Sequence, residues 1–229
     1  MNRPSASPSL LDQLVDHVRQ QVSSLQRQYV AAPGMRPPSG VAATMAGLRR
    51  ASPVAVGDDP AIWGVTLGDT PATLLGHGDE PSRAERVIHA ALCLYAVHQH
   101  SRGDEMHRPG VRFGQAVGQL ARARSAANEP FDNATVKRFH VVGTSLSPAR
   151  RLDGMRALIR LMRGQTSPSI GLDYGLLARD LYRLDLGHAA GRVRLAWGRD
   201  LHRTLRPPKE TSSGAEPATS HPHTEPGVS

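Results

Sequence analysis

Apolar residues recur along this chain at spacings of three and four almost throughout, the pattern of helices that each bury one face. Leu11, Leu14, Val18, Val22, Leu25 and Tyr29 trace one such stripe, with Ser9 ahead of it placed to cap a helix start. Residues 31–40, with three prolines and two glycines, break the pattern. A short helix is predicted over residues 43–50, and Asp59-Pro60 can start another that turns Trp63 and Leu67 inward. Ser82-Arg83-Ala84-Glu85 has the form of a capping box, in which hydroxyl and carboxylate satisfy each other's end amides. It leads into the most apolar helix, residues 83–100.

After a loop over residues 101–110 the spacing predicts a helix over residues 112–124. Its Gly114 and Gly118 leave a bare strip on which another helix can approach closely. Asp132 caps a segment to residue 145, and Ser147-Pro148, a cap plus a first-turn proline, starts a helix to residue 163. Asp173, with Leu172 before it and Leu177 after, reads as a cap with a hydrophobic staple. A final helix is predicted over residues 189–205. No stretch alternates with period two or places a hairpin turn between β-branched runs. The prediction is an all-α chain of about nine helices packed as one or two small helical bundles. One bundle is expected over residues 9–101 and another over 110–206. Residues 207–229 are Pro, Ser, Thr, Glu and His without periodicity, the composition of a disordered tail.

Charge divides the chain more sharply than hydropathy does. Of 229 residues with a net charge of +8, residues 102–206 hold 19 Lys+Arg against 9 Asp+Glu, while residues 1–101 balance at 8 against 8. A device for solubility would spread charge; a confined surplus makes a field that an anionic polymer or surface can read. On the last helix Val193, Trp197, Leu201 and Leu205 form an apolar stripe, and Arg192, Arg199, Arg203 and Arg206 project roughly opposite it. Arg179 and Arg183 lie away from Leu177, Leu181 and Leu184. Arg156, Arg160 and Arg163 flank the stripe of Leu152, Met155, Ile159 and Met162. From 156 to 163 a helix rises about 10 Å, roughly three phosphates along one strand. Lys137-Arg138 and Arg49-Arg50 add two pairs. Any one stripe reads as an ordinary solvated helix face. Together they read as a binding surface, because between residues 133 and 206 the acids are only Asp153, Asp173, Asp180, Asp185 and Asp200. Substitution at Arg156 or Arg179 is accordingly expected to leave the fold intact.

Base reading is not indicated: the chain has no zinc-finger spacing and only nine aromatics to stack on bases. Backbone contact without sequence preference is the natural inference. No catalytic residues are expected. The Gly-x-x-x-x-Gly-Lys and Gly-x-Gly-x-x-Gly loops are lacking and no pair of acids is placed for acid–base work. No metal or other cofactor is expected either. His89 and Cys93, on the most apolar helix, read as a satisfied core histidine and a buried thiol, and His98, His100 and His107 flank a polar loop with Asp104 and Glu105. A single cysteine fits a reducing cytoplasm. The longest apolar run, residues 87–97, is too short to span a bilayer and is interrupted by His89, so a cytoplasmic protein without a membrane partner is expected. A rival reading, an α-helical DNA-binding transcriptional regulator, needs a recognition helix with base-reading residues, and Asn, Gln and Ser are thin in the basic helices. A metal-dependent nuclease would need a clustered His/Asp set.

Laid out in order, these elements resemble the small subunit of the type I-E CRISPR effector complex, Cascade, in the CasB family. The landmarks are Leu48-Arg49-Arg50 and Asp59-Pro60-Ala61-Ile62-Trp63, then Ala91-Leu92-Cys93-Leu94-Tyr95 within the apolar helix. Gly110-Val111-Arg112-Phe113-Gly114, Val136-Lys137-Arg138-Phe139 and Met155-Arg156-Ala157-Leu158 follow. Leu172-Asp173-Tyr174, Leu177-Ala178-Arg179-Asp180-Leu181 and the stretch from Val193 to Trp197 complete a series covering about residues 43–203. The resemblance implies an all-helical, non-enzymatic subunit present in two copies. Its implied partners are the backbone subunits, the large subunit, a second copy of itself, the crRNA, and the target and non-target DNA strands. The positions matching the family's basic residues are Arg49, Arg50, Lys137, Arg138, Arg156 and Arg179. Gln115 stands where the family often has a basic residue, and an aromatic common near Leu184 is lacking. The first helix and the tail after residue 206 fall outside the resemblance.

Overall fold

Local chemistry starts most of the helices. Ser9 Oγ accepts from the Asp12 amide at 3.2 Å while the Asp12 carboxylate accepts from Ser9 N–H at 3.3 Å, opening α1 (Leu10–Tyr29). Ser82 and Glu85 form the expected reciprocal box at 3.0 and 2.6 Å and open α3 (Arg83–Gln99). The computed structural model describes residues 8–30 and 36–206. Besides α1 and α3 it contains α2 (Ser39–Arg50), α4 (Phe113–Ala123), α5 (Asn133–Thr144), α6 (Pro148–Gly164), α7 (Tyr174–Leu184) and α8 (Ala190–Leu205). Asp132, Ser147 and Asp173 cap α5, α6 and α7 with their side chains, as the sequence predicts. Among the described residues there are two isolated β-bridges and no strands, and no helix is long and apolar enough to cross a membrane. The break at 31–35 and the tail, with Lys209, His221 and His223, lie outside the described residues.

The segment begun by Asp59-Pro60 corrects one expectation. It is a 3-10 turn (Pro60–Ile62) running into a π turn (Gly64–Gly68), so its inward positions are Ile62 and Thr66 rather than Trp63 and Leu67. Trp63 is 46% exposed, and its indole N–H donates to Gly57 O at 2.8 Å. Wider winding shifts the phase of the buried face, which a count at 100° per residue cannot anticipate.

α3 is the central element, buried from Val87 to Gln99 and packed by α1, α2, α6 and α7. Around it α1 lies on α7, α5 on α6 and α4 on α8. The core is a single cluster that draws on residues from Leu14 to Leu201 on both sides of the loop at residues 101–110. That boundary separates the two charge regimes, whereas packing and hydrogen bonds bridge it. Gln26 of α1 donates to His107 O at 3.2 Å and accepts from His107 N–H at 2.7 Å.

Two seams explain the closest helix contacts. A β-carbon on Gly114 would strike the Trp197 carbonyl, and one on Gly118 would lie 2.7 Å from Thr204 Cβ, so the glycine strip of α4 is where α8 docks. Phe113, Phe139 and Trp197 pack beside it with ring centroids 5.1–5.9 Å apart, joining α4, α5 and α8. Gly175 plays the same part between α7 and α1, where a β-carbon would meet Val15 O at 2.7 Å.

Two predictions follow from this packing. Gly114→Val is expected to destabilise the chain by about 3 kcal/mol or prevent folding, because the clash is with backbone that cannot rotate away; urea unfolding measures it. Stability is also expected to fall below pH 6.5. Burial holds His98, whose Nδ1 lies 2.9 Å from the Tyr174 hydroxyl, down at about 3 from its ordinary 6.5. Between those values the unfolded chain binds a proton that the folded chain does not. The folded state's advantage, complete above 6.5, is therefore lost as pH falls, at about 1.4 kcal/mol per pH unit for this group. Thermal melts at pH 7 and pH 5 read the loss, and an unchanged midpoint would refute it.

Candidate nucleic-acid interface

The electrostatics of the surface between residues 133 and 206 are set by where its five acids point. Asp173 is fully buried, and its carboxylate accepts from Arg19 at 2.6 Å, Gly110 N–H at 2.8 Å and Leu176 N–H at 3.0 Å. Burial pushes its carboxyl up, but Arg19 and the two backbone donors outweigh this and hold it below the usual carboxylate range. Asp180 is buried and accepts the Trp197 indole N–H at 2.8 Å; there burial prevails and its carboxyl lies above the ordinary value. Asp200 takes Arg112 at 3.4 Å and Arg203 at 3.2 Å, and Asp185 takes buried Arg151 at 3.1 Å. Of the five acids between residues 133 and 206, only Asp153 is exposed. Between residues 133 and 206 neutralising charge thus faces mostly inward, and the outward arginines there keep their field.

The sequence-predicted positions sort into groups. Arg49, Arg156, Arg160 and Arg163 come together where the ends of α2 and α3 meet α6. Arg156 donates to the carbonyls of Arg49 and of Ala51, the latter at 3.3 Å, and Arg163 Nη1 donates to His100 Nδ1 at 3.1 Å. Arg179, Arg183 and Arg192 line a groove of about 310 Å³ between α7 and α8, together with Arg112 and His188. Arg199 lies on the outer face of α8 with Arg194, His202, Arg203 and Arg206. Arg50, Lys137 and Arg138 are exposed, and among the described residues they share no hydrogen bond or ion pair with these groups. Of all eleven positions only Arg179 has a carboxylate within ion-pair distance among the described residues, Asp180 at 3.4 Å.

Geometry corrects the expectation that Arg156 is dispensable for folding. Its guanidinium is half-buried and reaches the last carbonyls of α2, where a cation satisfies orphan acceptors and the helix dipole together. Arg160, one turn along the same face, is exposed. The residues the sequence reading missed are Arg112, Arg194 and His100. Arg112 stands at the cap position of α4 and Arg194 beside Val193 of the buried stripe, so neither falls in a predicted basic stripe, and His100 drew notice only as a candidate metal ligand. The other histidines of that set serve the core: the Tyr174 N–H donates to His107 Nδ1 at 3.3 Å, and His98 faces the Tyr174 hydroxyl. His89 Nε2 lies 2.9 Å from Ser52 O and 3.5 Å from Cys93 Sγ, and burial pushes that thiol up to about 12. Among the described residues no group of three metal-ligating side chains occurs.

The fold and its charge define an all-helical chain with several arginine groups on its surface. It matches the family model for CRISPR-associated protein Cse2 over residues 44–202, and the chain belongs to that family. Among solved structures it is similar to the crystal structure of CasB from Thermobifida fusca, with 33% sequence identity and a TM-score of 0.64 over 83% of this chain and 98% of that one. No curated protein matches it. α1 precedes the family span but is built into the same core.

Arg156→Gln is expected to lower stability by about 1.5–3 kcal/mol, the worth of a charge-assisted hydrogen bond, whereas Arg160→Gln stays within about 0.5 kcal/mol of the parent. Chemical denaturation of the two variants separates the structural arginine from the surface one.

Proposed function

We propose that this chain is a non-catalytic, nucleic-acid-binding subunit of the type I-E CRISPR effector complex Cascade. It sits beside the backbone subunits, the large subunit and a second copy of itself. Its arginine groups contact the backbones of the crRNA, target and displaced strands and stabilise the R-loop in antiviral defence. One observation carries the reading: in a Cse2-family chain, four of the five acids between residues 133 and 206 are buried or half-buried, while ten of the eleven predicted basic residues have no carboxylate within ion-pair distance among the described residues. The energetics are coherent with it. RNA–DNA pairing roughly balances the DNA duplex that is lost, so phosphate contacts to separated strands tip an equilibrium near zero. Such contacts add affinity without sequence information.

The test is assembly with and without this subunit. A complex of guide and remaining subunits that lacks it should pair with target but hold the opened DNA less tightly, and wild-type protein should restore retention. A variant with Arg50, Lys137, Arg138, Arg160, Arg183, Arg192 and Arg199 changed to Gln, which keeps the structural Arg156, should join the complex without restoring retention. Full restoration by that variant would overturn the assignment of these residues. The isolated protein should also bind single-stranded DNA with a log–log salt slope of about −0.7 per phosphate contacted.

A further inference from the structure

At the end of α3, guanidiniums from two other helices converge on one imidazole. Arg163, in the last turn of α6, donates Nη1–H to His100 Nδ1 at 3.1 Å. Arg49 at the end of α2 acts electrostatically on the same ring, and the Ser101 hydroxyl lies 3.4 Å from it. Arg160 stands three residues before Arg163 on α6. No carboxylate acts on His100, and among the described residues none lies within ion-pair distance of Arg49, Arg160 or Arg163. Asp104, in the following loop, is already held by Arg102 at 2.6 Å. A guanidinium resting on a neutral imidazole makes a weak use of a fork shaped for an oxyanion. The donation to Nδ1 also leaves the ring's own proton on Nε2.

We propose that His100, Arg163, Arg160 and Arg49 form one site for a backbone phosphate of the bound nucleic acid, and that the phosphate enters together with a proton on His100. A phosphate oxygen takes over the Arg163 N–H and thereby frees Nδ1. That nitrogen takes a proton from solvent, and the imidazolium becomes a further charged donor to the anion. The free ring is disposed to stay neutral, since burial, Arg49 and Arg163 all hold it below its ordinary value. A phosphate at contact distance reverses the nearest charge and favours the protonated ring. Binding is then linked to proton uptake, with a ceiling of tenfold in affinity per pH unit for one proton. This site rests on the reading of the chain as a backbone-binding subunit, and it extends that reading to a residue outside the arginine groups.

The test is fluorescence anisotropy of labelled, mixed-sequence single-stranded DNA titrated with the full chain at constant ionic strength. Wild-type protein is expected to bind about fivefold more tightly at about pH 6 than at about pH 8. His100→Gln, which keeps an N–H donor and cannot be charged, should show less than half of that change. Arg163→Gln, which touches no fold-bearing carbonyl through its side chain, should bind more weakly at both values and flatten the dependence in the same way. It decides the question if His100→Gln does not fold. Equal pH dependence in wild type and variants overturns the site while leaving backbone binding in place. Failure of wild-type protein to bind at low salt at either pH overturns the backbone reading, and the site with it.

Discussion

The structure depends on a charge that no solvent reaches. Asp173 caps α7 through Leu176 N–H, fixes the turn at Gly110 through that residue's N–H, and receives Arg19 from α1. Gly110 adopts φ of +85°, a left-handed conformation that glycine reaches without penalty, and this aims its amide at the carboxylate. One side chain therefore ties the first helix, the turn before α4 and the start of α7. The carboxylate alone is expensive to bury: removing Arg19 would leave it uncompensated except by two backbone amides. The contact closes only when all three elements are in register. It also draws α1, which lies outside the family span, into the same fold.

The same logic extends to the other buried and half-buried acids of that stretch. Asp180 orients Trp197, Asp185 neutralises buried Arg151, and Asp200 holds Arg112 and Arg203 near the seam between α4 and α8. Each buried carboxylate removes a neutralising charge from the outside of the basic half. Internal pairing and surface field are thus two sides of one distribution of residues: these carboxylates serve the fold, while Asp104, Glu105, Glu129 and Asp153 are the acids the basic half leaves exposed.

What was legible in the sequence was local. Ser9, Ser82, Asp132, Ser147 and Asp173 cap helices within a few residues, and Gly114 and Gly118 reveal a close approach because nothing else on that face is so small. The stripe at Val193, Trp197 and Leu201 is buried as its spacing requires. Phase was lost where the winding changes, at Trp63. Roles were lost where a long side chain spans helices. Arg156 and Arg160 are equivalent by periodicity, and only the position of the α2 end, more than 100 residues earlier in the chain, makes the first a capping group and leaves the second free. His100 fails the same way, since its meaning depends on Arg163 arriving from α6.

That distinction explains how the chain tolerates its own surface. Arg156 and Arg160 are like charges one turn apart, an arrangement that destabilises a helix by about 0.2–0.5 kcal/mol, and Arg49 and Arg163 crowd the same region. Asp153 is the one carboxylate that acts on Arg156, and among the described residues none lies within ion-pair distance of the set, so most of the repulsion is offset elsewhere. α3 is buried along most of its length, Met155, Leu158, Ile159 and Met162 anchor α6 against it, and Arg156 turns part of the repelling set toward the α2 carbonyls. That repulsion, carried by a well-packed scaffold, is what the proposed phosphate would relieve.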